Sequence, residues 1–296
     1  MADLKVALIG LDSSHSIEFT RRFQAPDCPE TERVSGISVT DCLRFETPFQ
    51  DAAGLDVRQE QLEKWGVRVT ESFDEAVRHV DALMLEINDP ALHAECFEQA
   101  VNRGKPVFLD KPLAENVASG RRILELAADH GTRWFSASSL RFARELVEAS
   151  AEEPHPDVVS VYGPLGIAAA GSSVVWYGVH AFEMLQRAMG QGDRAVSADR
   201  DDRGVVVTVG YDDGRRGVVE LTEGAYIYGG VLRSSTAAHP FVVNGSLIYS
   251  GLLRQVAAFF RGTPAPVGPD DTLEIMALLE ATDRSLETGR PQPVSP

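Results

Sequence analysis

The stretch Pro106-Val107-Phe108-Leu109-Asp110-Lys111-Pro112-Leu113 constrains the fold of this chain more than any other. A short apolar run ends abruptly in an acid, a base and a proline. Such a run reads as a buried strand of a parallel sheet. The proline offers no N–H to a ladder and disfavours helical geometry in the residue before it, so the strand stops there. In open α/β sheets, ligands bind just beyond the carboxyl ends of the strands. Lys111 is therefore expected where a cofactor or substrate would sit.

The same alternation of apolar runs and helical stretches fills the first half of the chain. Residues 4–9 read as a strand ending at Gly10, and a helix follows from about residue 17, capped by Asp12, Ser13 or Ser14. This is the position of a phosphate-binding turn at a helix N-terminus. The dinucleotide fingerprint G-x-G-x-x-G keeps only Gly10; Asp12 and His15 stand at the other two glycine positions. Aspartate there sets bulk and negative charge against a diphosphate. Either the diphosphate sits differently, or the turn serves another ligand. His15, at a helix start, is disfavoured as a cation. As a neutral imidazole it accepts a hydrogen bond, binds a metal, or packs and caps.

A strand over 34–39 is expected to run into Thr40-Asp41. Asp41 lies somewhat beyond the ~20-residue spacing of a ribose-binding acid, and the loop at 24–30 can absorb the difference. An acid there favours a free 2′-hydroxyl and hence NAD; Arg44 just beyond suits the 2′-phosphate of NADP. Residues 43–59 read as a loop, 60–65 as a helix, 67–69 as a short strand, and Ser72 with Glu75 as a capping box. Residues 82–87 read as a central strand carrying Glu86, a carboxylate that burial makes costly unless it is paired or protonated. Asn88 opens a helix running to Gly104; 116–131 is an amphipathic helix and 134–136 the last strand of the domain.

The fold class expected is α/β: an N-terminal Rossmann domain with a doubly wound parallel sheet over 1–137, and a C-terminal α+β domain over 138–296. In the second half, a helix at 143–149 and a strand at 158–163 come first. Runs 205–211 and 216–221 form a hairpin about Asp212-Asp213-Gly214. Strands at 231–234 and 241–243 complete a mainly antiparallel, open sheet. The chain ends with 252–260, a loop, and then a helix at 271–287. His180 and Glu183 stand at i, i+3 and share a helix face, which sets an imidazole and a carboxylate into one cleft, as proton transfer requires.

Composition excludes several classes. A net charge of −16 without a basic run argues against nucleic acid. No apolar run reaches the ~18 residues of a membrane span, and Met1-Ala2-Asp3-Leu4-Lys5 lacks a signal-peptide core. Cys28, Cys42 and Cys96 have no metal-ligand spacing and read as reduced thiols of a cytoplasmic protein. No metal-ligand set is assigned, and the partner expected is a small-molecule substrate.

Gly104-Lys105-Pro106 followed by Asp110-Lys111-Pro112-Leu113-Ala114 resembles the Glu-Lys-Pro signature of the Gfo/Idh/MocA oxidoreductases, the glucose–fructose oxidoreductase and inositol dehydrogenase family. Asp110 replaces the usual Glu, one methylene shorter. Asn88 to His93 resembles the family's Thr-Pro-Asn-x-x-His, with His93 matching the histidine. Arg141-Phe142 resembles the start of its second domain, and Gly178, His180 and Glu183 its Gly-x-His-x-x-Asp motif. The stretch from Gly251-Leu252-Leu253 to Thr288-Gly289-Arg290-Pro291 matches its C-terminal pattern.

The resemblance implies hydride transfer between NAD or NADP, with NAD preferred, and a hydroxyl or keto carbon of a sugar, cyclitol or similar molecule. It implies His180 as general acid/base and Lys111 as the group polarising the oxygen, the two facing each other across one cleft. Glu183 orients His180 or binds a substrate hydroxyl, and Asp110 fixes Lys111. Arg141, Trp176 and Tyr177 line the substrate pocket. Gly10, Asp12, Ser13, Ser14, His15, Asp41, Asn88, His93 and Lys111 hold the cofactor. The open sheet face makes a homodimer or homotetramer. Because the turn is degenerate, two other readings stay open. One is a non-redox lyase, isomerase or hydrolase, with a divalent metal drawn from Asp12, His15, Glu86, His93, Asp110 and His180. The other is a catalytically silent binding protein.

Overall fold

The computed structural model describes residues 3–295; Met1 and Ala2, which open the stretch read against a signal peptide, lie outside them. In the first of two units the chain runs β1 (Leu4–Ile9), α1 (Ser14–Gln24), β2 (Ile37–Leu43), α2 (Ala52–Lys64), β3 (Arg68–Thr70), α3 (Phe73–Ala76), β4 (Ala82–Leu85), α4 (His93–Val101), β5 (Val107–Leu109), α5 (Val117–His130) and β6 (Trp134–Ser136). The six strands are parallel, in the order β3-β2-β1-β4-β5-β6. Every residue of β4 and β5 is buried, which is why these strands are unbroken apolar runs. Strand order reverses between β1 and β4, and the crevice over their carboxyl ends is where such a sheet takes its ligand.

Two local expectations are corrected. β2 starts after Gly36, whose φ of +93° no strand accommodates, and it extends to Leu43. Asp41 is thus inside the strand, and Arg44 follows its end. The helix read at 60–65 begins earlier, as α2 over 52–64, so that 52–59 are helix and not loop; Asp51 caps it, its carboxylate accepting from Gly54 N at 2.9 Å. Only Leu55 and Leu62 of that helix are buried, so it lacks the apolar stripe that marks a helix in sequence.

The second unit holds α6 (Arg144–Glu152), β7 (Val158–Pro164), α7 (Val179–Met189), β8 (Asp193–Asp201), β9 (Gly204–Tyr211), β10 (Arg216–Thr222), β11 (Gly229–Arg233) and β12 (Ala238–Val242). After α8 (Ile248–Phe260), α9 (Pro269–Thr288) and β13 (Gln292–Pro293) complete it. Its sheet runs β12-β11-β7-β10-β9-β8-β13, antiparallel throughout except for β7 against β10. β8, a strand rich in Asp and Arg, was not legible as one; its pairing with β9 makes it a strand, not its composition.

The units are not contiguous in sequence. The first comprises the chain up to Ala114, Ala118–Ser136 and Tyr249–Gly268; the second comprises Glu115–Val117, Ala137–Ile248 and the chain from Pro269 on. The single division expected at 137/138 thus differs from the observed one chiefly in Tyr249–Gly268. Hydrogen bonds hold that segment in the first unit. Arg133 donates to Phe259 O at 2.9 Å and Thr263 O at 2.8 Å, and Ser250 Oγ donates to Glu32 O at 2.6 Å. Among the described residues, no helix is long and apolar enough to cross a membrane.

Candidate active site

Three strand ends of the first unit lie side by side. Ile9 is in register with Leu85, and Leu85 with Leu109, so the residues that follow, Gly10, Glu86 and Asp110-Lys111, converge. Gly10 has φ +109°, and a Cβ there would stand 2.9 Å from Glu86 O, so this approach requires glycine. Glu86, Asp110 and Lys111 are all buried, at 0%, 1% and 6% exposure. The Lys111-Pro112 peptide is cis. No hydrogen bond ties the Lys111 ammonium to the described residues.

His15, from the first turn of α1, closes this cluster. Its Nδ1 donates to Asp110 Oδ2 at 2.6 Å. The ring stacks on Phe19 at 4.8 Å and meets Tyr249 edge-on at 5.2 Å, so its orientation is fixed on two sides. Burial alone would push the Asp110 carboxyl up; His15 and Lys111 outweigh it and hold the group below its ordinary value. Glu86 goes the other way. Burial and the charge of Asp110 push it well above the usual carboxyl range, against the pull of Lys111. Neither oxygen of Glu86, nor Asp110 Oδ1, has a hydrogen-bond partner among the described residues. The Asp110 side chain thus bonds His15 and also feels Lys111, through the ammonium charge and the backbone N–H.

The turn after β1 settles the conflict that Asp12 raised. Its buried carboxylate accepts from Asn88 N at 3.0 and 3.1 Å and from Thr47 Oγ1 at 2.8 Å. Burial raises this carboxyl, and those bonds only partly offset it. Asp12 therefore ties the turn to the loop after β4 and is not the acid of the helix start. Ser13 caps α1 by accepting from His15 N at 3.1 Å, Ser14 is the first helical residue, and the first turn holds no acid. Gly10 makes the tight turn and the helix start is free of acids, which suits a diphosphate at that helix N-terminus, while Asp12 holds the place of the second glycine.

Two cofactor assignments are corrected. His93 has Nδ1 at 3.2 Å from Leu113 O and Nε2 at 2.8 Å from Ile87 O, so both ring nitrogens face backbone carbonyls and neither is left for a ligand. Asp41 lies within β2 and pairs with Arg68 at 2.6 Å, with Thr40 Oγ1 donating at 2.8 Å. The strand's end carries Arg44, which pairs with Asp56 at 2.6 Å and donates to Gln59 Oε1 at 2.7 Å.

In the second unit, His180 and Glu183 project from the first turns of α7, which follows a widened π-type turn, Val174–Gly178. A Cβ at Gly178 would stand 2.8 Å from Leu221 Cδ1, so glycine lets that side chain pack against the turn. Glu183 is bonded to the segment that precedes α6. Its Oε1 accepts from Ser138 N at 3.0 Å and its Oε2 from Arg141 Nη1 at 3.2 Å. Burial raises the Glu183 carboxyl despite Arg141 and the Ser138 amide. Ser138 Oγ, which accepts from Leu140 N at 3.1 Å, lies 2.6 Å from His180 Nδ1. The imidazole is thus oriented by Ser138, and Glu183 acts one bond further back. Arg141 is the buried counter-ion of Glu183, a correction to its place in the substrate pocket. Tyr177 and Tyr228 meet the His180 ring edge-on at 5.4 and 5.8 Å, and Trp176 packs on Tyr177 at 5.2 Å. Ser138 and Tyr228 were not legible in the sequence: neither stands at a spacing that carries a meaning of its own.

These strand ends, with a glycine turn and a lysine past β5, define a dinucleotide-type α/β fold. Residues 49–139 match the GFO_IDH_MocA family model, described as an oxidoreductase family with an NAD-binding Rossmann fold. Solved structures share the fold over nearly the whole chain. Myo-inositol 2-dehydrogenase from Lactobacillus plantarum superposes with a TM-score of 0.80 at 15% identity, covering 99% of this chain and 100% of that one. A myo-inositol dehydrogenase from Corynebacterium glutamicum gives 0.81 at 15% identity, with 99% of each chain covered. GenD2 from gentamicin A biosynthesis, in complex with NAD, gives 0.81 at 18% identity, covering 100% of this chain and 97% of that one. A comparison with curated protein sequences finds no match. Residues 49–139 match that family's model and the whole chain shares the fold of these structures, in line with the resemblance read from the sequence. At these identities the likeness of the structures speaks for the fold.

Proposed function

We propose that this chain is an NAD(P)-dependent dehydrogenase acting on a secondary alcohol or ketone of a sugar, cyclitol or similar polyol. The observation that carries the reading is Lys111: a buried ammonium at the carboxyl end of β5, beside the strand-order reversal, with no hydrogen bond of its own. Gly10, Ser13, Ser14 and the start of α1 would hold the diphosphate, and Asn88 stands next to them. The nicotinamide, when bound, supplies or accepts the hydride. Lys111 polarises the substrate oxygen and stabilises the charge that develops on it. His180, held by Ser138, gives or takes the hydroxyl proton. Trp176, Tyr177 and Tyr228 present aromatic faces and hydroxyls suited to a polyol. The inositol dehydrogenases among the structural neighbours point to the same substrate class.

The three cysteines are free thiols, which suits the cytoplasm. Exposed Val206 and Val242 on the sheet of the second unit suit a homodimer or homotetramer through that sheet. The test is to titrate the purified chain with NADH and NADPH, following nicotinamide fluorescence, and then to screen polyols for reduction of NAD or NADP. Saturable binding, with turnover lost in both Lys111→Ala and His180→Ala, is the expected result. Absence of binding removes the redox reading and leaves a non-redox or silent protein on this fold.

A further inference from the structure

The group formed by His15, Glu86 and Asp110 has a property the dehydrogenase reading does not use. A ring nitrogen of His15 and one carboxylate oxygen from each acid all lie within 4.8 Å of one another, and all three residues are buried. Ligand atoms about 2.1 Å from a common tetrahedral ion stand about 3.4 Å apart, so shifts of up to about 0.8 Å in each side chain would close the set. The acids come from adjacent strand ends held in register, and the imidazole is fixed by Phe19 and Tyr249, so the set is built on rigid elements.

The independent sign of a missing occupant is the state of the oxygens. Glu86 is 0% exposed, and neither of its oxygens has a partner; Asp110 Oδ1 has none either. Buried acceptors left unmet cost stability and are rare in folded proteins. A proton on Glu86 would remove its charge; a cation would also supply charge for Asp110 beside it. A cation among these residues would take one oxygen of Glu86 and one of Asp110 together with the imidazole. Its two positive charges match two carboxylates, while the Lys111 ammonium keeps its own place at the edge of the group. Sequence spacing does not show the set, because its members lie on three separate strand–helix junctions.

We propose that His15, Glu86 and Asp110 bind one divalent transition-metal ion in the first unit. One imidazole with two carboxylates suits Zn²⁺ or Mn²⁺. Three protein ligands leave further coordination positions for water or an oxygen of a bound molecule. The site goes beyond the dehydrogenase reading and does not depend on it.

The experiment uses the full chain purified without a histidine tag, stripped with chelator and desalted. Zn²⁺ and Mn²⁺ are titrated separately by calorimetry, with metal content per chain read by mass spectrometry after gel filtration. One ion per chain with a raised melting temperature is expected for the wild type. Since loss of an outer partner alone weakens a metal site by about 10–100-fold, Glu86→Gln and Asp110→Asn should each weaken binding more than about 100-fold. His15→Gln serves in place of a truncation that would open the packing against Phe19. His180→Ala, in the other unit, should leave metal binding unchanged. Failure of the wild type to retain either ion, or unchanged binding in Glu86→Gln, overturns the proposal. Nicotinamide binding by the stripped chain is measured in parallel, so that failure of the metal site and failure of the redox reading are seen separately.

Discussion

Glu86 and Glu183 are the same residue in the same degree of burial, one at the centre of each unit's polar cluster, yet their surroundings are opposite. Both oxygens of Glu183 are engaged, by a backbone amide and a guanidinium. Neither oxygen of Glu86 is. Buried charge is tolerable when it is paired and hydrogen-bonded, and costly otherwise. In the second unit Arg141 and Ser138 meet both oxygens of Glu183, although Arg141 Nε is left without a partner among the described residues, and the scaffold's product is one oriented imidazole. The cluster of the first unit is incomplete without something the chain does not contain. That contrast separates a group that positions from a group that binds.

The largest effect should come from the binding side. Lys111→Ala should lower turnover by about 10³-fold or more, since charge stabilisation at the reacting oxygen and proton handling each contribute on that scale. Steady-state rates with a responsive polyol, alongside an unchanged circular dichroism spectrum, would check it. A loss below tenfold would take Lys111 out of the reaction.

The two glutamates should then differ in sign. Glu183→Ala leaves Arg141 buried without its counter-ion, and breaking such a pair costs about 3–5 kcal/mol. Urea midpoints would show it as a large loss. Glu86→Leu, measured on chelator-treated protein, removes unmet acceptors and should stabilise by about 1–3 kcal/mol. If both variants shift the midpoint in the same direction, the contrast between the units is wrong.

The legibility of these features in the sequence follows the same divide. Runs such as 82–85 and 107–109 are buried on both faces and show as unbroken apolar stretches, so the parallel sheet, its order class and the place of Lys111 could be read. The i, i+3 spacing of His180 and Glu183 put both on one helix correctly. What could not be read was the partner of each group. That Asp110 takes His15, and that Ser138 rather than Glu183 holds His180, depends on which strand ends and loops become neighbours in space. Asp41 was misplaced because one glycine, Gly36, shifted the start of β2. β8 and α2 were obscured because exposed elements carry little apolar periodicity.

Asp193 in the second unit departs from the pattern of Glu183, and it provides the smallest test. Asp193 in β8 faces Glu274 in α9, and burial followed by the shared proton with Glu274 pushes its carboxyl up to about 9. In the unfolded chain the same group ionises near 3.8. Between those values the folded protein holds a proton that the unfolded chain has lost, so raising the pH favours unfolding. Stability should therefore fall as pH rises from about 4 to about 9. Asp193→Asn cannot ionise and should flatten that slope, with its advantage greatest at the alkaline end. The carboxyl is partly solvated, so the difference should be only about 1 kcal/mol. Urea unfolding of both proteins at a series of pH values would measure it. An unchanged slope would mean that Asp193 meets its proton or partner as fully as Glu183 does, and it would then be no unmet acid to compare with Glu86.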